Sequence, residues 1–93
     1  MQFNPTEHEA EHRQKLENAD RANHIEAYRL ALQMFWTLRD APIMHDAEFK
    51  EVLRAMQNAV TRKRDILRRW LNVEDIENII LEEQRKYEEA NYE

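Results

Sequence analysis

The chain has 93 residues, a formal net charge of -5 and 35% charged side chains, with no glycine, no cysteine and two prolines, Pro5 and Pro42. Strand hairpins and phosphate-cradling loops both use glycine where the backbone turns sharply or approaches a ligand, so both are disfavoured; without cysteine, disulfides and thiolate zinc sites are excluded. What remains is an all-α domain of three to four helices around a central antiparallel hairpin, small enough that association with further copies would help it bury apolar surface.

The charge falls into three blocks. Residues 1–20 carry 2 basic and 5 acidic side chains, residues 21–73 carry 10 and 6, and residues 74–93 carry 2 and 8. Acidic ends around a basic middle disfavour nucleic-acid binding by the whole surface but allow one local basic face. The first two dozen residues lack an apolar leader region, and no stretch approaches the roughly 20 apolar residues of a membrane span. The expected compartment is the cytoplasm.

Thr6 followed by Glu9 reads as a capping box that opens a first helix, with Pro5 just outside. Glu9 with Arg13, Glu11 with Lys15 and Glu17 with Arg21 are acid-before-base pairs one turn apart, and Leu16 is the one large aliphatic residue among them. This segment, residues 1–22, is expected to be a charged surface helix. Asn23 followed by Glu26 offers a second cap, and Leu16 lies about 180° round a helix from Ile25. A break or bend at residues 20–23 is therefore expected.

The second helix, near residues 24–39, carries Ile25, Tyr28, Leu32, Phe35 and Leu38 or Arg39 as one stripe, with Leu30, Met34 and Trp36 on its other sides. Apolar residues nearly all round imply central burial or a second covered face. Asp40-Ala41-Pro42 ends it, and Asp46 caps a third helix near residues 46–70. There Phe49, Val52 or Leu53, Met56, Ala59 or Val60, Ile66 or Leu67 and Trp70 keep one face, interrupted by Lys63. Asn72, followed by Glu74 and Asp75 and preceded by Leu71 to staple onto Ile76, marks a kink or a new helix. In that last segment Val73, Ile76, Ile79, Ile80 and Leu81 are apolar, and Tyr87 and Tyr92 are the large anchors of an acidic end. The whole reads as a single domain: residues 1–22 charged, 23–71 the hairpin core, 72–93 the acidic helix.

Three constellations could carry function. His8-Glu9-Ala10-Glu11-His12 matches the HExxH spacing in which two histidines one turn apart hold zinc and the glutamate acts as base. Its surroundings are charged, and Lys15 and Asn18 stand where the longer metzincin form has a glycine and a third histidine. The helix reads as a surface helix with its glutamates paired to Arg13 and Lys15, and no metal or cofactor is expected.

Arg39-Asp40-Ala41-Pro42-Ile43-Met44-His45 resembles the arginine-to-histidine motif of HEPN-type ribonucleases, which are small, helical and dimeric. That resemblance implies RNA cleavage by Arg39 and His45 in a dimer cleft. Here Pro42 interrupts the helix that carries the motif in that family, and no aromatic residue stands just after the histidine. The bland alternative is a connection between helices.

The strongest polar feature is residues 62–70, where Arg62, Lys63, Arg64, Arg68 and Arg69 stand against the single acid Asp65 and end at Trp70. On a helix Arg64 and Arg68 align one turn apart. This ridge could be neutralised by Asp65 and the acidic last helix, could meet an acidic surface of a protein partner, or could grip phosphates with Trp70 stacking on a base. Phe35 and Trp36 belong either to the core alone or to the core and an interface.

The functional expectation is a non-enzymatic interaction protein, an adaptor or inhibitor that occludes a larger partner and forms a homo-oligomer. Its interaction surface is Phe35, Trp36, Arg62, Arg64, Arg68, Arg69 and Trp70. By size and composition a phage-encoded inhibitor of host machinery or defence would fit. A binder of RNA or a small anionic nucleotide through the arginines, and an HEPN-like nuclease, are the alternatives.

Overall fold

The computed structural model describes residues 5–42 and 47–91, and among them are three helices and no strand. These are α1 (Pro5–Asp40), α2 (Ala47–Leu67) and α3 (Val73–Asn91). The chain is all-α. Ile43, Met44, His45, the Asp46 expected to cap α2, and Tyr92 lie outside the described residues.

Two expectations about α1 are corrected. Pro5 is the first helical residue rather than the residue before the helix. Its fixed φ suits the first turn, where its missing N–H would have no partner in any case. The helix then passes through residues 20–23 without the expected break, so Asn23 is an interior, exposed residue and not a cap. Asparagine costs only a few tenths of a kcal/mol inside a helix, roughly 0.7 at most, whereas a break would leave backbone groups at two new ends to satisfy. Leu16, out of phase with the buried stripe, falls in phase with Leu30 and Met34 once the helix is continuous. All three are exposed, at 59%, 56% and 56%.

The second half of α1 is the axis of the fold. Tyr28, Leu32 and Trp36 from α1, Leu67 from α2, and Ile76 and Ile79 from α3 form the core, joined by the partly buried Ile25, Phe35, Val60, Trp70, Leu71, Ile80 and Tyr87. The far end of α2 reaches the middle of α1, where Trp70 stacks on His24 at 5.6 Å. Contacts to α3 advance in the same direction along both helices: Arg29 and Gln33 meet Glu83, and Trp36 and Asp40 meet Tyr87. Helices α2 and α3 each pack on α1 and scarcely approach one another. Packing on two sides accounts for Tyr28, Leu32 and Trp36, whereas Leu30 and Met34, on the other sides of α1, are not covered.

Helix α2 ends at Leu67, short of the residue 70 expected from the pattern. The chain leaves it through a tightened turn in which the amides of Arg69 and Trp70 donate to the carbonyls of Ile66 and Leu67. Asn72 then opens α3 with a reciprocal cap. Its side-chain oxygen accepts from the Asp75 amide at 2.8 Å, and its own amide donates to the Asp75 carboxylate at 3.4 Å. Asp75 does from the third position what a glutamate does in the usual capping box.

Residues 7–23 of α1 are exposed throughout and extend beyond the part that packs on α2 and α3. The molecule measures 68 × 29 × 21 Å in consequence. No described helix is long and apolar enough to cross a membrane.

Candidate interaction surface

The positive ridge forms where α2 ends. Arg62 and Arg64 stand on the last turns of α2, while Arg68, Arg69 and Trp70 belong to the turn that follows, so the ridge is not one continuous helical face. Arg62 lies about 160° round the helix from Arg64, which divides the bases into two groups. Arg64 and Arg68 line a cleft of about 190 Å³ with Val73, Ile76, Glu77 and Ile80. A second depression shares Glu77 and Ile80 with it and continues to Leu81.

The ridge is weakly neutralised from within. Asp65 approaches Arg64 rather than Arg68 or Arg69, and at 3.8 Å the contact is a loose ion pair. The buried Nε of Arg64 has no hydrogen-bond partner among the described residues. Arg62, Arg68 and Arg69 form no ion pair with a described residue, and all three are exposed. The guanidinium of Arg69 lies 5.2 Å from the centre of the Trp70 ring. With His24 also stacked on it, that indole is occupied and offers little open platform for a base.

Glu82 and Glu83 of α3 pair with other bases. Glu83, 4% exposed, is the buried carboxylate of the fold. It accepts from Arg29 at 2.8 Å, from Gln33 at 2.9 Å and from Lys86 at 3.3 Å, and Gln33 also donates to the Glu83 backbone carbonyl. Burial acts to raise its pKa, but the hydrogen bonds from Gln33, Arg29 and Lys86 outweigh it and hold the carboxyl below its ordinary value. Exposed Glu82 is lowered too, chiefly by the charge of Arg29 and then by that of Lys86. This node lies on the α1 to α3 seam, away from the arginine ridge.

The aromatic candidates divide. Trp36 is buried, 5.7 Å from the Tyr87 ring, whose single hydroxyl proton is shared between the Asp40 carboxylate at 2.9 Å and the Trp36 carbonyl at 3.1 Å. As core, its indole is not open to an outside partner, and half-buried Phe35 packs on the same cluster. The large exposed apolar side chains among the described residues are others: Leu16, Leu30 and Met34 on α1, Val52 on α2, and Val73 and Leu81 on α3.

Arg39 spends its guanidinium on the neighbouring Asp40, with bonds of 2.9 and 3.1 Å. His45, the other residue of the ribonuclease resemblance, lies outside the described residues. His8 and His12 are exposed on the projecting part of α1, and no cluster of three or more metal-ligating side chains occurs among the described residues.

No family model, no curated protein and no solved structure matches this chain.

The Glu83 node was not foreseen from the sequence. Arg29, Gln33, Trp36 and Asp40 lie at spacings of four, three and four, one helical stripe that mixes polar groups with one aromatic. That stripe was the available signal. Glu83 itself is one of eight acids in the last 20 residues, with nothing local to single it out.

Proposed function

We propose that this chain is a small non-enzymatic protein–protein interaction module, an adaptor or inhibitor that occludes an acidic surface on a larger partner. A single observation carries the proposal: Arg62, Arg68 and Arg69 face solvent without an acid paired to them among the described residues, although the chain is acidic overall. Three guanidinium groups held on one short stretch are a ready complement to carboxylates, because each offers several donors in a fixed plane. The working unit is a hairpin of the second half of α1 with α2, along which α3 lies after the break before Asn72. The cytoplasm is the proposed compartment, and inhibition of host machinery or defence by a phage product is a setting such a chain would suit.

Arg62 and Arg69 provide the test because neither lines the cleft beside α3. Affinity capture from the native cell with the wild type is compared with Arg62→Glu combined with Arg69→Glu, after circular dichroism shows equal helicity. A protein captured by the wild type and lost in the variant is the expected result. Capture of nucleic acid in a salt-sensitive manner would replace this proposal with the RNA or nucleotide alternative. Identical capture by the two chains would remove the ridge from either role.

A further inference from the structure

We propose that α3 is also a self-association surface, on which a second copy of this chain places its own α3 antiparallel, about a two-fold axis between Ile80 and Leu81. This inference does not rest on the heterologous partner proposed above.

The seam is defined by burial. Val73 and Leu81 are 58% and 61% exposed, and they share a side of α3 with Glu77, half-buried Ile80, Gln84 and Glu88. These six residues span an arc of about 100° on the helix. Helix α2 does not cover them, since it scarcely approaches α3, and the cleft left between the two opens onto this side.

The occupant follows from the order of residues along the seam. Reversed about the point between residues 80 and 81, it matches itself: Ile80 falls opposite Leu81, Glu77 opposite Gln84, and Val73 opposite Glu88. Apolar side chains then meet at the centre, and no two carboxylates of the seam stand directly opposed. An isologous contact requires this property, because whatever residue i does to residue j, residue j must do in return.

Charge selects the same direction. Arg64 and Arg68 stand at the Val73 end of the seam, with Arg64 only loosely paired to Asp65, while the other end carries exposed Glu88. Antiparallel pairing sets the arginines of each copy beside Glu88 of the other, twice per dimer. Arg85, on the flank of α3 away from the cleft, falls level with the other copy's Glu77 and Glu74. Parallel pairing would set arginines against arginines and Glu88 against Glu88, a like-charge arrangement that disfavours it. The apolar centre is short, so the contact is a weak one whose strength depends on salt.

Sedimentation velocity on the full chain, from micromolar to millimolar concentration and at two salt concentrations, tests the proposal. The expected result is a monomer–dimer equilibrium that weakens with salt. Leu81→Glu, at an exposed position, weakens it about tenfold or more by placing two carboxylates at the axis. Arg64→Glu with Arg68→Glu weakens it comparably, and adding Glu88→Arg to that variant restores most of the lost association. Circular dichroism on each variant separates lost association from lost folding. A monomer at every concentration overturns the inference, as does a dimer indifferent to Leu81→Glu or a charge swap that restores nothing.

Discussion

The carboxylate of Glu83 receives three side-chain donors, from Arg29, Gln33 and Lys86, in a position 4% exposed. A carboxylate removed from water is tolerable only when its lone pairs are met in this way, so these residues act as one unit that fixes how α3 sits on α1. Glu83→Gln keeps the shape and removes the charge, and should cost about 1–2 kcal/mol in urea denaturation at neutral pH. The pH dependence has a definite sign. Because the folded-state pKa is depressed, the stabilisation is fully present above the unfolded value of about 4.3 and is lost as pH falls through the lower folded value. The thermal midpoint of the wild type should drop between about pH 5 and pH 3, and that of Glu83→Gln should drop less; equal slopes would show that Glu83 does not carry the acid sensitivity. Asp40 is lowered too, first by its hydrogen bond from Arg39 and then by that from Tyr87, but it is exposed and its part is small. The phase of Ile25, Tyr28 and Leu32 reveals the buried face of α1 from local spacing alone. Glu83 was hidden because its burial depends on a partner 54 positions away.

At the scale of elements, α1 runs for 36 residues, about 54 Å, although only its second half packs on other helices. Its first half is held by helix-forming residues and local contacts such as the bond from Gln14 to Asn18 and the approach of His24 to Asp20 at 3.4 Å, and none of the expected acid-before-base pairs closes into an ion pair among the described residues. Continuity through residues 20–23 joins the two halves into one rod. Ala22→Pro tests it, because proline removes the amide that donates one turn back and clashes with that turn. Ala22 is exposed, so the substitution should reduce the far-ultraviolet helical signal through fraying of the preceding turns and leave the unfolding midpoint of the packed region nearly unchanged. An unaltered helical signal would mean that the helix is already interrupted there. Asn72 and Asn23 mark how far a local cap signal reaches. Asn72 was legible as a helix start because its partner Asp75 is three residues away. Asn23 carried a similar mark and lies inside a helix, because a cap signal competes with continued hydrogen bonding and prevails only where the chain must turn.

The whole molecule is elongated, with a radius of gyration of 18.4 Å and a longest dimension of 68 Å. A compact chain of this length would have a radius near 12 Å, so the excess belongs to the exposed part of α1. Small-angle scattering from dilute protein should return a radius near 18.4 Å, and removal of residues 1–20 should bring it markedly closer to the compact value; a compact radius for the full chain would mean that α1 folds back. By itself the sequence determined the all-helical class, the stripes that supply the core, the cap at Asn72 and the separation of charge into three blocks. Each of these follows from missing glycine or from neighbours within one or two helical turns. Tertiary structure alone decided that Trp36 faces Tyr87, that Glu83 is buried, and that Glu82 and Glu83 serve Arg29 and Lys86 while Arg62, Arg68 and Arg69 are left to solvent. The physical reason is common to all three: each is a choice between local alternatives of nearly equal free energy, settled by which distant side chains the packing of three helices brings within reach.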